Sequence, residues 1–225
     1  MTRQVNFDLL ARPYRWLEYL SFGPLLNRTR LEFLPRLRAA RRALILGDGD
    51  GRFLARLLSD NPVVVVDAVD SSPRMLQLAA RRARRIGAAG RVDFHQADAN
   101  FFVAPSHDPD LGDYDLIVTH FFLDCFYPAE LATLLPSLTR CLRPGALWLI
   151  SDFAIPPRHP FFARLLVGTL YRAFGLLTGL PVRKLPDYSP VLRRLGFVLL
   201  ERRSRLAGML ASELWSLHPD PIREQ

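Results

Sequence analysis

Three short stretches hold residue types that could do chemistry. The first is Gly47-Asp48-Gly49-Asp50-Gly51, directly after the apolar run Ala43–Leu46. Alternating glycines let a backbone turn sharply and lie against a ligand, and a helix starting behind them offers unpaired N–H groups. Alone, the stretch also fits a plain surface turn. Two more specific readings fail. A nicotinamide-dinucleotide fingerprint wants a third glycine or alanine at position 52, which is Arg52. A calcium loop of EF-hand type wants glycine at Phe53 and glutamate at Ser59. The second stretch is Asp70, about 20 residues past the turn, where a carboxylate can accept both hydroxyls of a ribose. Such charged hydrogen bonds contribute about 1.5–3 kcal/mol each. A helix-capping role for Asp70 is redundant, because Ser72 followed by Pro73 already has cap character. Asp67 is less well placed. The third stretch is Asp98-Ala99, which offers a carboxylate for an adenine amino group and a backbone N–H, or simply closes a loop.

The elements around these stretches repeat. Ala43–Leu46 is a short buried strand, and Phe53–Ser59 begins a helix. Val63–Asp70 is β-branched and reads as a strand. Ser72 opens a helix to about Ile86. Arg91–Asp98 and Tyr114–Phe121 are strands three and four. A helix runs from Pro128 to about Leu142, and Ala146–Phe153 is strand five, entered through Pro144–Gly145. Residues 160–177 read as helical. Gly196–Ser204 and Met209–Ser216 are too close in sequence for a crossover and so form an antiparallel hairpin. Residues 7–40 read as helical, interrupted near Gly23–Pro24. Strands alternating with helices imply a parallel sheet covered on both faces. The expected fold is α/β: a doubly wound, mostly parallel seven-stranded sheet with a C-terminal antiparallel hairpin. An N-terminal helical cap at 1–42 forms one unit with the domain at 43–225. Ligands of such sheets lie outside the carboxyl ends of the strands, where all three stretches fall.

In order and spacing, ALILGDGDGRF, VDAVDSSPRML, QADA, YDLIVTHFFLD and LRPGALWLISDF resemble the successive motifs of class I S-adenosylmethionine-dependent methyltransferases. The resemblance covers residues 43–153, and Asp70 to Leu76 is similar to the family's D-x-S-x-x-M-L pattern. It implies a Rossmann-like fold and S-adenosylmethionine as cofactor. It further implies Gly47, Gly49 and Gly51 at the methionine moiety, Asp70 on the ribose, Ser71 and Met75 flanking the adenosine, and Asp98 with Ala99 at the adenine. His120 would lie where the residue ending strand four approaches the cofactor. One position departs from the family: its acidic residue two before the first glycine is Ile45 here. That role is omitted or passes to Asp48 or Asp50.

A sulfonium methyl is already electrophilic, so the protein mainly aligns a nucleophile and excludes water. A general base is optional. The turn Thr119-His120-Phe121-Phe122 lacks the N/D-P-P-Y/F of amino-methylating nucleic-acid enzymes. Neither Cys125 nor Cys141 follows a proline, which removes the 5-methylcytosine type. Only Glu130 lies near for the protein-arginine type. A metal-dependent catechol type would need clustered carboxylates, of which Asp124 and Asp152 are the nearest to a pair, and no metal is expected. His120 is the candidate beside the transferring methyl, as base, hydrogen-bond partner or plain pocket wall. Asp124 would orient it one helical turn on, and Tyr188 is a third catalytic candidate.

Phe7-Asp8, Ala11, Tyr14, Ser21-Phe22-Gly23, Leu192, Gly196-Phe197 and Ala207-Gly208 resemble the flanks of ubiquinone/menaquinone-pathway C-methyltransferases. Residues 160–180 are apolar over most of a helix's girth, with Arg164, Gly168, Arg172 and Gly175 on one stripe. That suits core packing, a lid over an apolar pocket, or peripheral membrane contact. The aromatics Tyr14, Trp16, Tyr19 and Phe22 could close the same pocket or form the core of the cap. Net charge is +8, yet Lys184 is the only lysine among 30 basic residues. Arginine bias of a GC-rich genome accounts for that as well as polyanion binding does. The chain shows no signal-peptide pattern and no charge-free apolar span, so a cytoplasmic protein with reduced thiols is expected. A small, lipophilic acceptor is the expected partner. An RNA-directed methyltransferase and a non-catalytic module of the same fold are the alternatives.

Overall fold

The computed structural model describes residues 24–99, 102, 113–156 and 185–218. The N-terminal aromatics, the loop at 104–112 and the apolar stretch at 160–180 lie outside the described residues.

Seven strands form one sheet: β1 (Arg42–Leu46), β2 (Val65–Asp70), β3 (Val92–Gln96), β4 (Tyr114–His120), β5 (Leu142–Phe153), β6 (Phe197–Arg205) and β7 (Leu210–Leu217). Their order is β3-β2-β1-β4-β5-β7-β6. The first five are parallel, and β7 runs antiparallel to both its neighbours. This is the expected doubly wound sheet with its closing hairpin. The hairpin turns through Leu206 and Ala207, both in left-handed backbone, and Gly208.

Strand alternation divides the core. Ile45, Val66, Ala68, Leu116 and Val118 face one layer, with α2 (Arg52–Asp60), α3 (Pro73–Arg85) and the Leu34–Leu37 turn. Leu44, Leu46, Ile117, Trp148, Ile150 and Trp215 face the other, with α4 (Pro128–Thr139) and α5 (Ser189–Arg194). The short α5 was not foreseen, because six residues ending in two arginines show too little periodicity to declare a helix.

The helix expected through residue 40 is shorter. From residue 24 on, only α1 (Pro24–Arg30) is helical, followed by a 3-10 turn at Leu34–Leu37. Pro35 lacks the N–H that an α-helix would need there. Strand two starts at Val65 rather than Val63. Asn61 explains this: its amide donates to Leu37 and Ala40 carbonyls while its oxygen accepts from Val63 and Val64, binding those residues into a turn. The fourth helix stops at Thr139, because Leu142 already belongs to β5.

Asp67, expected to be peripheral to the site, is a core tether. Nearly fully buried, it accepts from Arg42 of β1 at 3.1 Å and from Tyr114 of β4 at 2.9 Å, and it pairs with His95 of β3 at 2.7 Å. A buried carboxylate is tolerated when each oxygen is matched in this way.

The glycine turn meets α3 with no space to spare. A Cβ on Gly51 would stand 2.5 Å from Ala79 Cβ, and Gly51 has φ +77°. Gly51→Ala is therefore expected to cost about 3 kcal/mol, from left-handed strain and overpacking together. Equilibrium urea denaturation measures this, and adding Ala79→Gly should recover part of it. An unchanged midpoint in the single variant would show that turn and helix do not touch as described.

Candidate cofactor and acceptor site

All three glycines of the turn have positive φ, from +64° to +77°. Gly47 N–H donates to Val69 O at 2.9 Å, joining the turn to β2. The Phe122 ring fills the space where a Gly47 Cβ would be, whereas the space beside Gly49 is open. A backbone with such an open side can receive a ligand closely. Asp48 Oδ2 accepts from Leu54 N–H at 2.9 Å and so caps α2, while its Oδ1 is buried without a hydrogen-bond partner. Burial pushes the Asp48 carboxyl up to about 7; its bond from Leu54 and the Arg30 charge act in the opposite direction. Asp50 is engaged otherwise. Its carboxylate accepts from Arg52 at 3.1 Å and Arg82 at 2.7 Å, and its backbone carbonyl accepts from Arg82 at 2.8 Å. Ile45 is part of the core. Both arginine bonds to the Asp50 carboxylate fall on Oδ2, so of the two aspartates considered as stand-ins for the missing acid, Asp48 alone keeps a buried oxygen without a partner.

Asp70 ends β2, half-buried, and its Oδ1 accepts from Ser72 N–H at 2.9 Å. Ser72 caps α3 as expected, its hydroxyl accepting from Met75 N–H at 3.3 Å. Met75 is buried beneath this corner and Ser71 is exposed. Asp98 is exposed and Ala99 buried just beyond β3. The turn, Asp70 and Asp98-Ala99 thus line the carboxyl ends of three neighbouring parallel strands.

His120 is the last residue of β4 and is 2% exposed. Its ring stands edge-on to Phe53 of α2 at 4.5 Å, and neither ring nitrogen has a hydrogen-bond partner. Burial, and next the Arg30 charge, hold its pKa well below the ordinary histidine value, so the ring is neutral. Arg30 ends α1, is buried, and lies over the Phe121 ring at 5.2 Å. Phe121 itself is in left-handed backbone at φ +51°, local strain at a strand tip.

The expected pairing of Asp124 with His120 does not occur. Alternation along β4 aims His120 at α2, whereas Asp124, in the Leu123–Cys125 turn, hydrogen-bonds Asp152 of β5. Both carboxyls are almost fully buried. Burial first, then the Asp124 charge, raise Asp152 well above the carboxylate range, so the pair holds a proton. Tyr188 precedes α5. Its phenol is raised chiefly by burial, then by the charges of Glu213, Asp152 and Asp124. Cys125 donates its thiol to Asp124 at 3.5 Å. Cys125 and Cys141 are both free thiols.

The structure therefore groups His120 with the glycine turn and Arg30, and groups Asp124 and Tyr188 with Asp152. The pairing of Asp124 with Asp152, expected only as the nearest thing to a metal-type carboxylate cluster, is present as a carboxyl pair, and Asp152 continues the Trp148–Ile150 face. Arg30 escaped the sequence reading. It follows Leu26 by four residues on the buried face of α1, but only tertiary docking brings it here. Among the described residues no group of three or more His, Cys, Asp or Glu could hold a metal.

Residues 44–148 match the family described as a methyltransferase domain. The demethylmenaquinone methyltransferase of Thermus thermophilus is 32% identical over 170 residues, covering 75% of this chain and 68% of that protein. The ubiquinone/menaquinone biosynthesis C-methyltransferase of Cronobacter sakazakii is 30% identical over 166 residues, covering 71% and 62%. The O-methyltransferase family 2 protein of Planctomyces limnophilus, solved in complex with apigenin, shares the fold at TM-score 0.66 and 21% identity, over 92% of this chain and 61% of that one. With its glycine turn, its acidic strand ends and its closing hairpin, the chain belongs to the class I S-adenosylmethionine-dependent methyltransferase family, whose cofactor is S-adenosylmethionine.

Proposed function

We propose that this protein transfers a methyl group from S-adenosylmethionine to a small, lipophilic acceptor of quinone-like or other aromatic or lipid type. The observation that carries this reading is the boundary between two halves of the sheet's carboxyl edge. The β1–β3 half presents thin backbone and carboxylates. The β4–β5 half presents aromatic rings, with Phe121 against Phe153 and Phe122 against Phe126, and a buried carboxyl pair. Relatives named for quinone-pathway methylation support the same acceptor class.

In this reading the bound cofactor supplies an electrophilic methyl group, and the chain holds and orients. Gly47, Gly49 and Gly51 lie along the methionine moiety with Asp48 beside them. Asp70 accepts from the ribose, Ser71 and Met75 flank the adenosine, and Asp98 with Ala99 receives the adenine. His120, neutral and with both nitrogens unmatched, contacts the cofactor and acceptor at the point of transfer. Asp124, sharing a proton with Asp152, accepts the proton an acceptor hydroxyl or ring carbon gives up, and Tyr188 orients the acceptor's oxygen. The cap at 1–42 and the domain at 43–225 act as one unit. Cytoplasmic placement belongs to the same proposal. No described helix is long and apolar enough to cross a membrane.

The RNA-directed alternative has less support. Arg36, Arg38, Arg42 and Arg82 pair with Glu201, Asp60, Asp67 and Asp50. Paired arginines offer less to a phosphate backbone.

Calorimetric titration tests the cofactor placement: Asp70→Ala should weaken S-adenosylmethionine binding at least tenfold, and equal affinity would remove Asp70 from the site. The carboxyl pair predicts a pH effect. The folded pair holds a proton that the unfolded chain releases just above pH 4. Its contribution to stability is thus full at low pH and lost as pH rises through the folded value. Asp152→Asn, which needs no such proton, should gain on the wild type in urea midpoint between pH 5 and pH 8. Parallel pH profiles for the two proteins would show that no proton is shared.

A further inference from the structure

We infer that Arg30 and Asp48 together grip the amino-acid end of the cofactor, the guanidinium on its carboxylate and the carboxylate on its ammonium, which makes helix α1 a wall of the cofactor site. The inference deepens the cofactor placement proposed above and rests on it.

Four observations converge at the tips of β1 and β4, neighbours in the sheet with Leu46 opposite Thr119. Ile45 puts an apolar side chain where the family carries an acid, so an ammonium bound beyond β1 needs another anion. Asp48 has one to offer: Oδ2 is committed to Leu54 N–H, and Oδ1 is buried with no partner. A buried acceptor left unmatched is unfavourable unless a donor arrives. Asp50 is the weaker rival, because Arg52 and Arg82 already balance its charge through Oδ2.

The cation is Arg30. It is 6% exposed, yet its charge acts on both Asp48 and His120. Its place is fixed from two sides. The guanidinium lies over Phe121, and the preceding residue is anchored where Ser151 Oγ donates to Thr29 O at 3.3 Å. Thr29 Oγ1 in turn donates to Leu25 O at 2.8 Å. A guanidinium preorganised by stacking loses little freedom on taking a carboxylate in bidentate fashion.

The third and fourth observations concern the space between. His120 is 2% exposed with both ring nitrogens unmatched, and beside Gly49 nothing lies within 4 Å of where a Cβ would be. A cation, a half-matched anion, a neutral imidazole and bare backbone suit a small zwitterion better than a simple anion or cation.

Protons follow. Asp48 is faced by Arg30 from α1, Leu54 N–H from α2, Asp50 within the turn and Asp70 from β2. With its carboxyl near 7, an arriving ammonium favours the ionised form. Binding therefore releases a proton below that pH, and affinity falls as pH drops from 8 to 6.

The test titrates the full chain with S-adenosylhomocysteine and with 5′-methylthioadenosine, which keeps the adenosine and thioether but lacks the amino-acid end. Arg30→Met and Asp48→Asn are expected to weaken S-adenosylhomocysteine ten- to a hundredfold and leave methylthioadenosine unchanged, which also reports that the variants are folded. Arg30→Lys, keeping the charge, should lose less than tenfold. The wild type should lose homocysteine-ligand affinity between pH 8 and pH 6, and Asp48→Asn should not. Undiminished S-adenosylhomocysteine affinity in Arg30→Met, or equal loss of both ligands, would overturn the inference while leaving the adenosine placement standing. A wild type that binds neither ligand would overturn the cofactor placement itself.

Discussion

Gly51 can lack a side chain for one physical reason and Gly49 for another, and the site depends on both. Ala79 of α3 occupies the space a Gly51 Cβ would need, and Arg82, one turn further along α3, holds Asp50 through both its side chain and its carbonyl. The turn is thus clamped from the helix side by packing and by charge. Its other side stays bare at Gly49. The clamp also sets the start of α2, since Gly51 is its N-cap in left-handed backbone and Asp48 reaches across to Leu54. A looser turn would lose the cap, the open side and the alignment of Asp48 together. The turn's N–H to Val69 then carries this geometry into the sheet, fixing where β2 delivers Asp70.

The polar groups at the sheet's carboxyl edge sort by face, and the sorting follows strand alternation. His120 and Arg30 lie toward α2 and α1, where burial and a nearby cation keep the imidazole neutral. Asp124, Asp152 and Tyr188 lie on the opposite face, where burial and mutual repulsion favour protonated forms. Glu213, on the same side, is balanced by Arg202 and Trp215. Each half therefore limits its net charge by shifting protons or by pairing, as buried ionisable groups must.

The alternating pattern made the sheet, the hairpin and the three carboxyl-end motifs legible. Each rests on local signals: β-branched runs, a Ser-Pro helix start, and glycines where the chain has to reverse. What stayed hidden depends on contacts far apart in sequence. Asp67 reads only as an acid less well placed than Asp70, yet Arg42, His95 and Tyr114, from three other strands, make it a core tether. Asp124 sits four residues after His120, the spacing of neighbours on a helix, but a strand tip and a 3-10 turn send the two side chains to different faces. Arg30 is one of many arginines in the chain, an abundance that codon bias accounts for as well as polyanion binding does. Only the docking of α1 against β6 and β7 gives it a buried position.

Fold and substrate choice are therefore carried by different parts of the chain. The solved relative shares the fold at 21% identity, which fits an architecture set by patterning and a few glycines rather than by particular side chains. The residue that departs from the family pattern, Ile45 of β1, and its proposed stand-in, Asp48 of the glycine turn, lie on the donor half. There any substitution must still accommodate one fixed ligand, so a lost acid has to be matched by another group. On the proposed function the proton-sharing pair of acids on the β4–β5 half belongs to the acceptor, whereas Phe121 and Phe122 also touch the donor side, through Arg30 and Gly47. A carboxyl pair holding one proton can both donate and accept, which suits an acceptor whose oxygen changes from hydroxyl to oxyanion as its ring becomes the nucleophile. On the proposed function, acceptor specificity is to be sought around Asp124, Asp152 and Tyr188 and not in the motifs by which the family is recognised.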